Sequence, residues 1–421
     1  MSKFVLERYI MIRNILFLFF LLSGTSLFAV SDYTEIDKRS KKVPDTLETL
    51  EEITTYLTTD LLKTDEKVRA IYIWTAHNIR YDIRKSYEEV KYTSYDQMVD
   101  DALETRKGVC EHYAQLFQRM CTLAGVKSYV IAGYTRQAGD TAIADLDHAW
   151  NAVEIDGDYF FIDATWASGY QDDQTYRHVF QDNFFLITPK EFIKTHMPFD
   201  LVWQFLDNPL DHTEFEDKRY VKLENPGNFS YKDSIARIAT MDSIVMLERS
   251  VARIKKSGLT HILIKEEVAR YSAQIENIKS YRWFSSFSAI NDRVNRAKDS
   301  VNEGIIFNNT FISYANKRFK KPKIEKEEIK RVIEKAHNSF YTGKAQLKQC
   351  KRDLLALKYT GNMAENAKLA AENTQNLYDF ITRVEFKILE IGPSIEENKK
   401  FAQRYLKKWK PLRFLVPREQ L

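Results

Sequence analysis

Asp147-His148-Ala149-Trp150-Asn151-Ala152-Val153-Glu154-Ile155 and Asp158-Tyr159-Phe160-Phe161-Ile162-Asp163-Ala164-Thr165-Trp166 are two apolar-rich runs joined by Asp156-Gly157. Such runs around Asp-Gly predict a β-hairpin with a two-residue type I′ turn, since both central positions need φ > 0. With Ile155 opposite Asp158, the register places His148 opposite Thr165 and Trp150 opposite Asp163. His148 and Asp163 then share a face as diagonal neighbours, close enough for a side-chain hydrogen bond. A carboxylate beside an imidazole fixes its tautomer and stabilises the imidazolium.

Upstream lies Arg106-Lys107-Gly108-Val109-Cys110-Glu111-His112-Tyr113-Ala114. Ala114, Phe117, Cys121 and Ala124 recur at helical spacing and Gly125 is a natural stop, so Cys110 falls at or beside a helix start. Unpaired N–H groups and the positive end of the helix dipole favour a thiolate there and can receive a developing oxyanion. Cys121 lies about three turns further on, too far for a disulfide with Cys110, and is expected in the core, as is Cys350 on a later helical seam. A helix-start Cys, a strand His and a hairpin-paired Asp, in that order, are the parts of a thiol acyl-transfer site. His112 is two positions after Cys110 and points away from the thiol, toward surface or polar core. His77, His178, His196 and His212 have neither paired spacing nor companion Cys, so no metal site is expected, and without a phosphate-binding Gly loop no cofactor is expected.

The motifs Gly108-Val109-Cys110-Glu111 with Tyr113-Ala114, then His148-Ala149-Trp150-Asn151, then Asp163-Ala164-Thr165-Trp166 resemble the catalytic core of the transglutaminase-like superfamily, whose fold is similar to that of papain-type thiol proteases. Asn183-Phe184-Phe185-Leu186, His196-Met197-Pro198 and Trp203-Gln204-Phe205-Leu206 resemble the branch that includes kyphoscoliosis peptidase and a yeast-type cytokinesis protein. The resemblance covers about residues 45–217. It implies Cys110 as nucleophile, His148 as base and acid, and Asp163 as orienter. Ala167-Ser168-Gly169 departs from the family's Gly-rich pattern after the Trp, and the second oxyanion donor has no sequence signature.

The 421 residues are 44% hydrophobic and 29% charged, a globular composition that excludes disorder and collagen-like structure. Three Cys exclude a disulfide framework. Residues 1–217 carry 22 basic and 36 acidic residues, a balance of −14, while residues 218–421 carry 41 and 23, a balance of +18. Six of the thirteen Gly fall within residues 108–169, suiting mixed helix and strand. Beyond Asp233 the composition turns to Lys, Glu, Ala, Ile and Leu. Ile329, Ile333, Ala336, Phe340, Gly343, Leu347, Cys350 and Leu354 step by 4 and 3, and Ala370, Thr374, Leu377, Ile381, Val384 and Ile388 continue that rhythm after Tyr359-Thr360-Gly361-Asn362. This predicts an antiparallel helical hairpin in a coiled-coil-like bundle.

Lys3, Arg8 and Arg13 precede the apolar run Ile15–Leu22, and small residues lead to Ala29, so residues 1–29 read as a secretory signal peptide and export to the periplasm or outside is expected. The expected organisation is a signal peptide (1–29), an α+β transglutaminase-like (papain-like) domain (30–217) and a basic all-α helical bundle (218–421). The expected function is an exported thiol acyl-transfer enzyme, peptidase or transglutaminase-like, acting on peptide-type amides. The alternative is a non-catalytic peptide-binding scaffold or adhesion protein. Expected partners are a protein or peptide substrate, docking between the oppositely charged halves, and an anionic surface or polymer, with no specific nucleic acid.

Overall fold

The computed structural model describes residues 32–86, 92–136, 143–144, 146–172 and 175–408. The expected signal peptide lies outside the described residues. The chain divides into two compact units: Met1–Thr240 with Arg253–Lys265, and Met241–Ala252 with Glu266–Leu421.

The first unit opens with α1 (Thr34–Ser40), α2 (Leu50–Thr58) and α3 (Thr64–Asn78), followed by β1 (Arg80–Tyr81), α4 (Tyr95–Thr105), β2 (Lys107–Gly108) and α5 (Cys110–Leu123). Helix α3 is buried at every position from Val68 to Ala76, so it runs through the core and not over its surface. Then come β3 (Ser128–Thr135), β4 (Asp147–Ile155), β5 (Asp158–Ile162), α6 (Ala164–Ser168), β6 (Tyr170–Asp172), β7 (Thr175–Arg177), α7 (Pro189–Phe192), β8 (His196–Pro198), α8 (His212–Glu216) and α9 (Tyr231–Ile238). An antiparallel sheet in the order β5-β4-β3-β8 packs against α5 and α3.

The hairpin forms as its turn chemistry predicts. Ile155 pairs with Asp158, and Asp156 and Gly157 both have positive φ, 53° and 85°. The ladder ends sooner than expected, at Asn151 opposite Ile162. Asp163 then leaves the strand to cap α6, its carboxylate accepting the Trp166 N–H at 3.0 Å. His148 is therefore not paired with Thr165, nor Trp150 with Asp163; a helix N-terminus offers the Asp an N–H partner that a strand end lacks. On the other side His148 pairs with Gly133, and Gly133 with Pro198. A Cβ on Gly133 would stand 2.2 Å from the Met197 carbonyl and 2.5 Å from the Trp150 ring, so only Gly lets the three strands close up here.

Residues 218–240, grouped by charge with the helical half, pack on the first unit. Ile235 lies in the same buried cluster as Ile131, Trp150 and Phe161. Arg253 forms a two-pronged ion pair with buried Asp200 at 2.6 and 2.7 Å.

The helices α10 (Ser243–Ser257) and α11 (Ile262–Asn316) begin in one unit and end in the other, while α12 (Lys326–Ala356) and α13 (Ala364–Lys407) lie wholly in the second. Ile329, Ile333, Ala336, Phe340, Gly343, Leu347, Cys350 and Leu354 are all buried, the seam that the 4-3 spacing predicts. Phe340, Leu347, Cys350 and Leu354 meet Ile290, Val294, Ala297 and Val301 of α11 and Leu377, Ile381, Ile388 and Ile395 of α13 in one apolar core, while Ile329, Ile333 and Ala336 join Phe311, Phe319 and Ala402 in a second. A Cβ on Gly343 would stand 2.5 Å from the Ala297 carbonyl, and one on Gly304 2.6 Å from the Phe340 backbone N, so these two glycines let α11 and α12 pack closely. No helix among the described residues is long and apolar enough to cross a membrane.

Candidate active site

Cys110 is the first residue of α5, after Gly108 and Val109. A Cβ on Gly108 would collide with the His112 side chain at 2.4 Å, so Gly here lets the chain turn tightly into the helix. The His112 ring closes that turn: Nδ1 accepts the Val109 N–H at 3.4 Å and Nε2 meets the Tyr92 hydroxyl at 2.8 Å. Burial first, then nearby Lys85, push the His112 pKa down to about 4, so it is a neutral buried cap. This agrees with its expected polar-core placement.

Strand β4 presents His148 to this helix. The two elements are tied by Asn151, whose side chain donates to the Ala114 carbonyl at 2.9 Å. His148 Nε2 lies 2.8 Å from Asp163 Oδ2, both side chains are buried, and the Cys110 thiol stands close enough to the same imidazole to raise its pKa. With Nε2 engaged by the carboxylate, Nδ1 is the ring atom left for the thiol. Burial would lower the His148 pKa; the charge and hydrogen bond of Asp163, followed by the nearby Cys110, overcome it and raise the value to about 10. Burial likewise opposes the Asp163 charge, but its two imidazole partners hold the carboxyl well below the usual carboxylate range.

The second of those partners is His196, which lies 33 residues downstream. His196 Nε2 meets Asp163 Oδ2 at 3.1 Å while Nδ1 meets the Thr195 hydroxyl at 2.8 Å. Its ring stacks on Phe192 with centroids 3.9 Å apart and lies 4.5 Å from that of Trp166. Burial pushes its pKa down to about 4, so it donates to Asp163 as a neutral imidazole and adds no competing positive charge. Metal-type spacing gives His196 no role, and its motif His196-Met197-Pro198 carries only a family resemblance, which implies no contact with Asp163. The available signal was a His two residues before a Pro on a short strand, which Thr135–His196 pairing brings to the sheet edge.

His148, Asp163 and His196 have donor atoms within 4.8 Å of one another, a set that could hold a metal ion, although none was expected. Two imidazoles and a carboxylate would suit zinc or iron. Both Nε2 atoms, however, address one carboxylate oxygen at hydrogen-bond length. A cation there would replace the contact that orients His148.

Cys121 and Cys350 are both buried and away from any such partner set, and burial pushes the Cys121 thiol up to about 12. Beside His148 opens a cleft of about 630 Å³, walled by Tyr81, Trp166, Tyr170, Tyr176 and Phe184.

The family model described as the transglutaminase-like superfamily matches residues 48–164, which include all three of these residues. Kyphoscoliosis peptidase of Homo sapiens is 39% identical over 198 residues, covering 44% of this chain and 30% of that protein. Hillarin of Drosophila melanogaster is 28% identical over 186 residues, 39% of this chain and 21% of its own. The chain thus spans less than a third of the length of these curated relatives. Among solved structures, the periplasmic domain of TgpA from Pseudomonas aeruginosa is 21% identical over 31% of this chain and 47% of that one, with a TM-score of 0.24.

Proposed function

We propose that this chain, whose residues 48–164 match the transglutaminase-like superfamily model, is a thiol acyl-transfer enzyme acting on peptide-type amides, with Cys110 as nucleophile, His148 as proton carrier and Asp163 as orienter. The observation that carries this reading is the buried 2.8 Å contact of Asp163 with an imidazole that neighbours a helix-start thiol.

In the resting pair the imidazolium of His148 faces the Cys110 sulfur. The sulfur attacks the amide carbon, forming a C–S bond as the carbonyl π electrons move to oxygen. The Cys110 backbone N–H, in the first helical turn and without an intrahelical acceptor, is placed to receive that oxyanion. His148 gives its proton to the departing amine as the C–N bond breaks, leaving a thioester. Water or a second amine then attacks the thioester and gives a proton to His148 as the C–S bond breaks and its electrons return to the Cys110 sulfur. The product is an acid or a new amide, and the enzyme returns to its starting state. Asp163 holds the ring throughout and stays charged.

The experiment is trapping of the thiol in the full chain by a peptidyl acyloxymethyl ketone, read by mass spectrometry. Cys110 should be modified, with the His148→Ala variant slowed by orders of magnitude. Iodoacetamide should also label Cys110 before the buried Cys121 and Cys350. Equal labelling of Cys110 with and without His148 removes the catalytic reading and leaves the cleft as a peptide-binding site on a scaffold.

A further inference from the structure

Ala167-Ser168-Gly169, where the chain departs from the family pattern, ends α6 beside the cleft, which Gly169 lines. Ser168 is fully buried, and its Oγ lies 2.6 Å from the Tyr176 hydroxyl and 3.1 Å from that of Tyr113. Tyr113 sits one turn after Cys110 on α5 and donates to the Ile79 carbonyl at 2.7 Å. A chain of hydroxyls thus joins the β6–β7 hairpin to the helix that carries the thiol. Gly169 makes the junction possible, because a Cβ there would meet the Arg177 carbonyl at 2.0 Å and the Tyr176 hydroxyl at 2.8 Å.

The Tyr176 ring is therefore fixed before any ligand arrives. Across from it stand Tyr81, with centroids 6.1 Å apart, and Trp166, and Tyr170 is half-exposed at the mouth. Among the described residues lining the cleft none is Asp, Glu, Lys or Arg. Among the described residues of the hairpin strands, Asp172 and Arg177 pair with each other at 3.3 Å. An apolar side chain entering between the rings gives up only water contacts, whereas a carboxylate or ammonium would exchange full hydration for the neutral groups of Thr165, Gln171, Gln181 and the tyrosine hydroxyls, His148 being engaged by Asp163.

Resting on the acyl-transfer reading, we infer that this cleft is a preformed subsite for an aromatic or large aliphatic side chain flanking the attacked amide, and that it rejects charged ones. The discrimination should be about tenfold or more.

The test uses the full chain and peptidyl acyloxymethyl ketones that differ only in the two side chains nearest the reactive carbonyl: Phe, Leu, Gly, Asp or Lys. Phe and Leu probes should label Cys110 fastest, Asp and Lys probes slowest. Tyr170→Ala, at a half-exposed position outside the hydroxyl chain, and Tyr176→Phe, which keeps the ring, should each compress that range. Equal rates for Phe, Asp and Lys overturn the subsite while leaving the enzyme reading intact. If no probe reacts, the enzyme reading fails by itself, and calorimetric binding of the parent peptide amides to the Cys110→Ala chain decides the subsite. The same Phe and Leu preference there supports it, and no preference overturns it.

Discussion

The two units solve the problem of burial in opposite ways. The first buries polar and charged groups, among them Arg69, His112, His148, Asp163, His196, Asp200 and His212, and satisfies them through directed contacts. Arg69 alone bridges Asp37 and Asp182 with four hydrogen bonds. The second buries an apolar seam, with its ion pairs mostly on the solvent side, such as Arg282 with Asp242 and Arg331 with Glu328. A seam tolerates small errors of position because dispersion contacts are many and weak. A buried imidazole–carboxylate cluster does not, because each unpartnered polar atom costs its full desolvation. The first unit thus holds its polar groups in fixed orientations, and the second relies on an apolar seam.

The sharpest way to break that contrast is Asp163→Asn. Turnover should fall by about 10³–10⁴-fold, read by steady-state kinetics once a substrate is in hand, with the fold retained by circular dichroism. A near-normal rate would remove Asp163 from the mechanism.

In the second unit the corresponding blow is to packing. Phe340→Ala, at a fully buried seam position, should destabilise the helical unit by about 3–5 kcal/mol, measured by denaturant unfolding followed at 222 nm. A loss below about 1 kcal/mol would mean that the seam is not what holds these helices together.

A gentler test is His196→Phe, which keeps a ring between Phe192 and Trp166 but removes the donor to Asp163. Loss of one hydrogen bond to a charged group, worth about 1.5–3 kcal/mol, should slow acyl transfer by roughly 10–100-fold. As His196 acts through Asp163, the alkaline limb set by His148 should move as well. An unchanged pH profile with unchanged rate would leave His196 a packing residue.

The smallest effect is on pH dependence. His77, His112, His196 and His212 all lie in the first unit, and burial pushes each down to about 4. An unfolded imidazole takes its proton near about 6.5 and these only near 4, so between those values the unfolded chain binds more protons and stability falls as pH drops. His148 has the opposite sign: raised to about 10, its contribution is complete below about 6.5 and is lost as pH rises through 10. Tryptophan fluorescence, dominated by Trp74, Trp150, Trp166 and Trp203 of the first unit, should report a melting temperature that drops between pH 7 and 4.5 more than the helical signal does. Equal sensitivity of both signals would erase the contrast.

The features visible beforehand were those carried by local pattern. The type I′ turn at Asp156-Gly157, the helix start at Cys110, the buried heptad positions and the α12–α13 hairpin follow from short-range chemistry. The α+β transglutaminase-like domain follows instead from the resemblance of the motifs around Cys110, His148 and Asp163, and the all-α region after it from the heptads. Hidden were the features that depend on how a segment meets another far along the chain. The helical character of residues 218–240 was readable, but not that Ile235 would pack beneath Trp150 and Phe161.

The sequence by itself determined which chemical groups are present, on what kind of element each sits, and that Cys110, His148 and Asp163 occur in a usable order, because turn, cap and periodicity preferences act over a few residues. Only the tertiary structure decided that Asp163 would leave the ladder to cap a helix, that His196 would reach the same carboxylate oxygen from β8, and that Ser168 and Gly169 would bolt an aromatic wall to the thiol's helix. Those outcomes rest on contacts between residues tens of positions apart, whose geometry is fixed when strands and helices pack and buried polar groups must find partners.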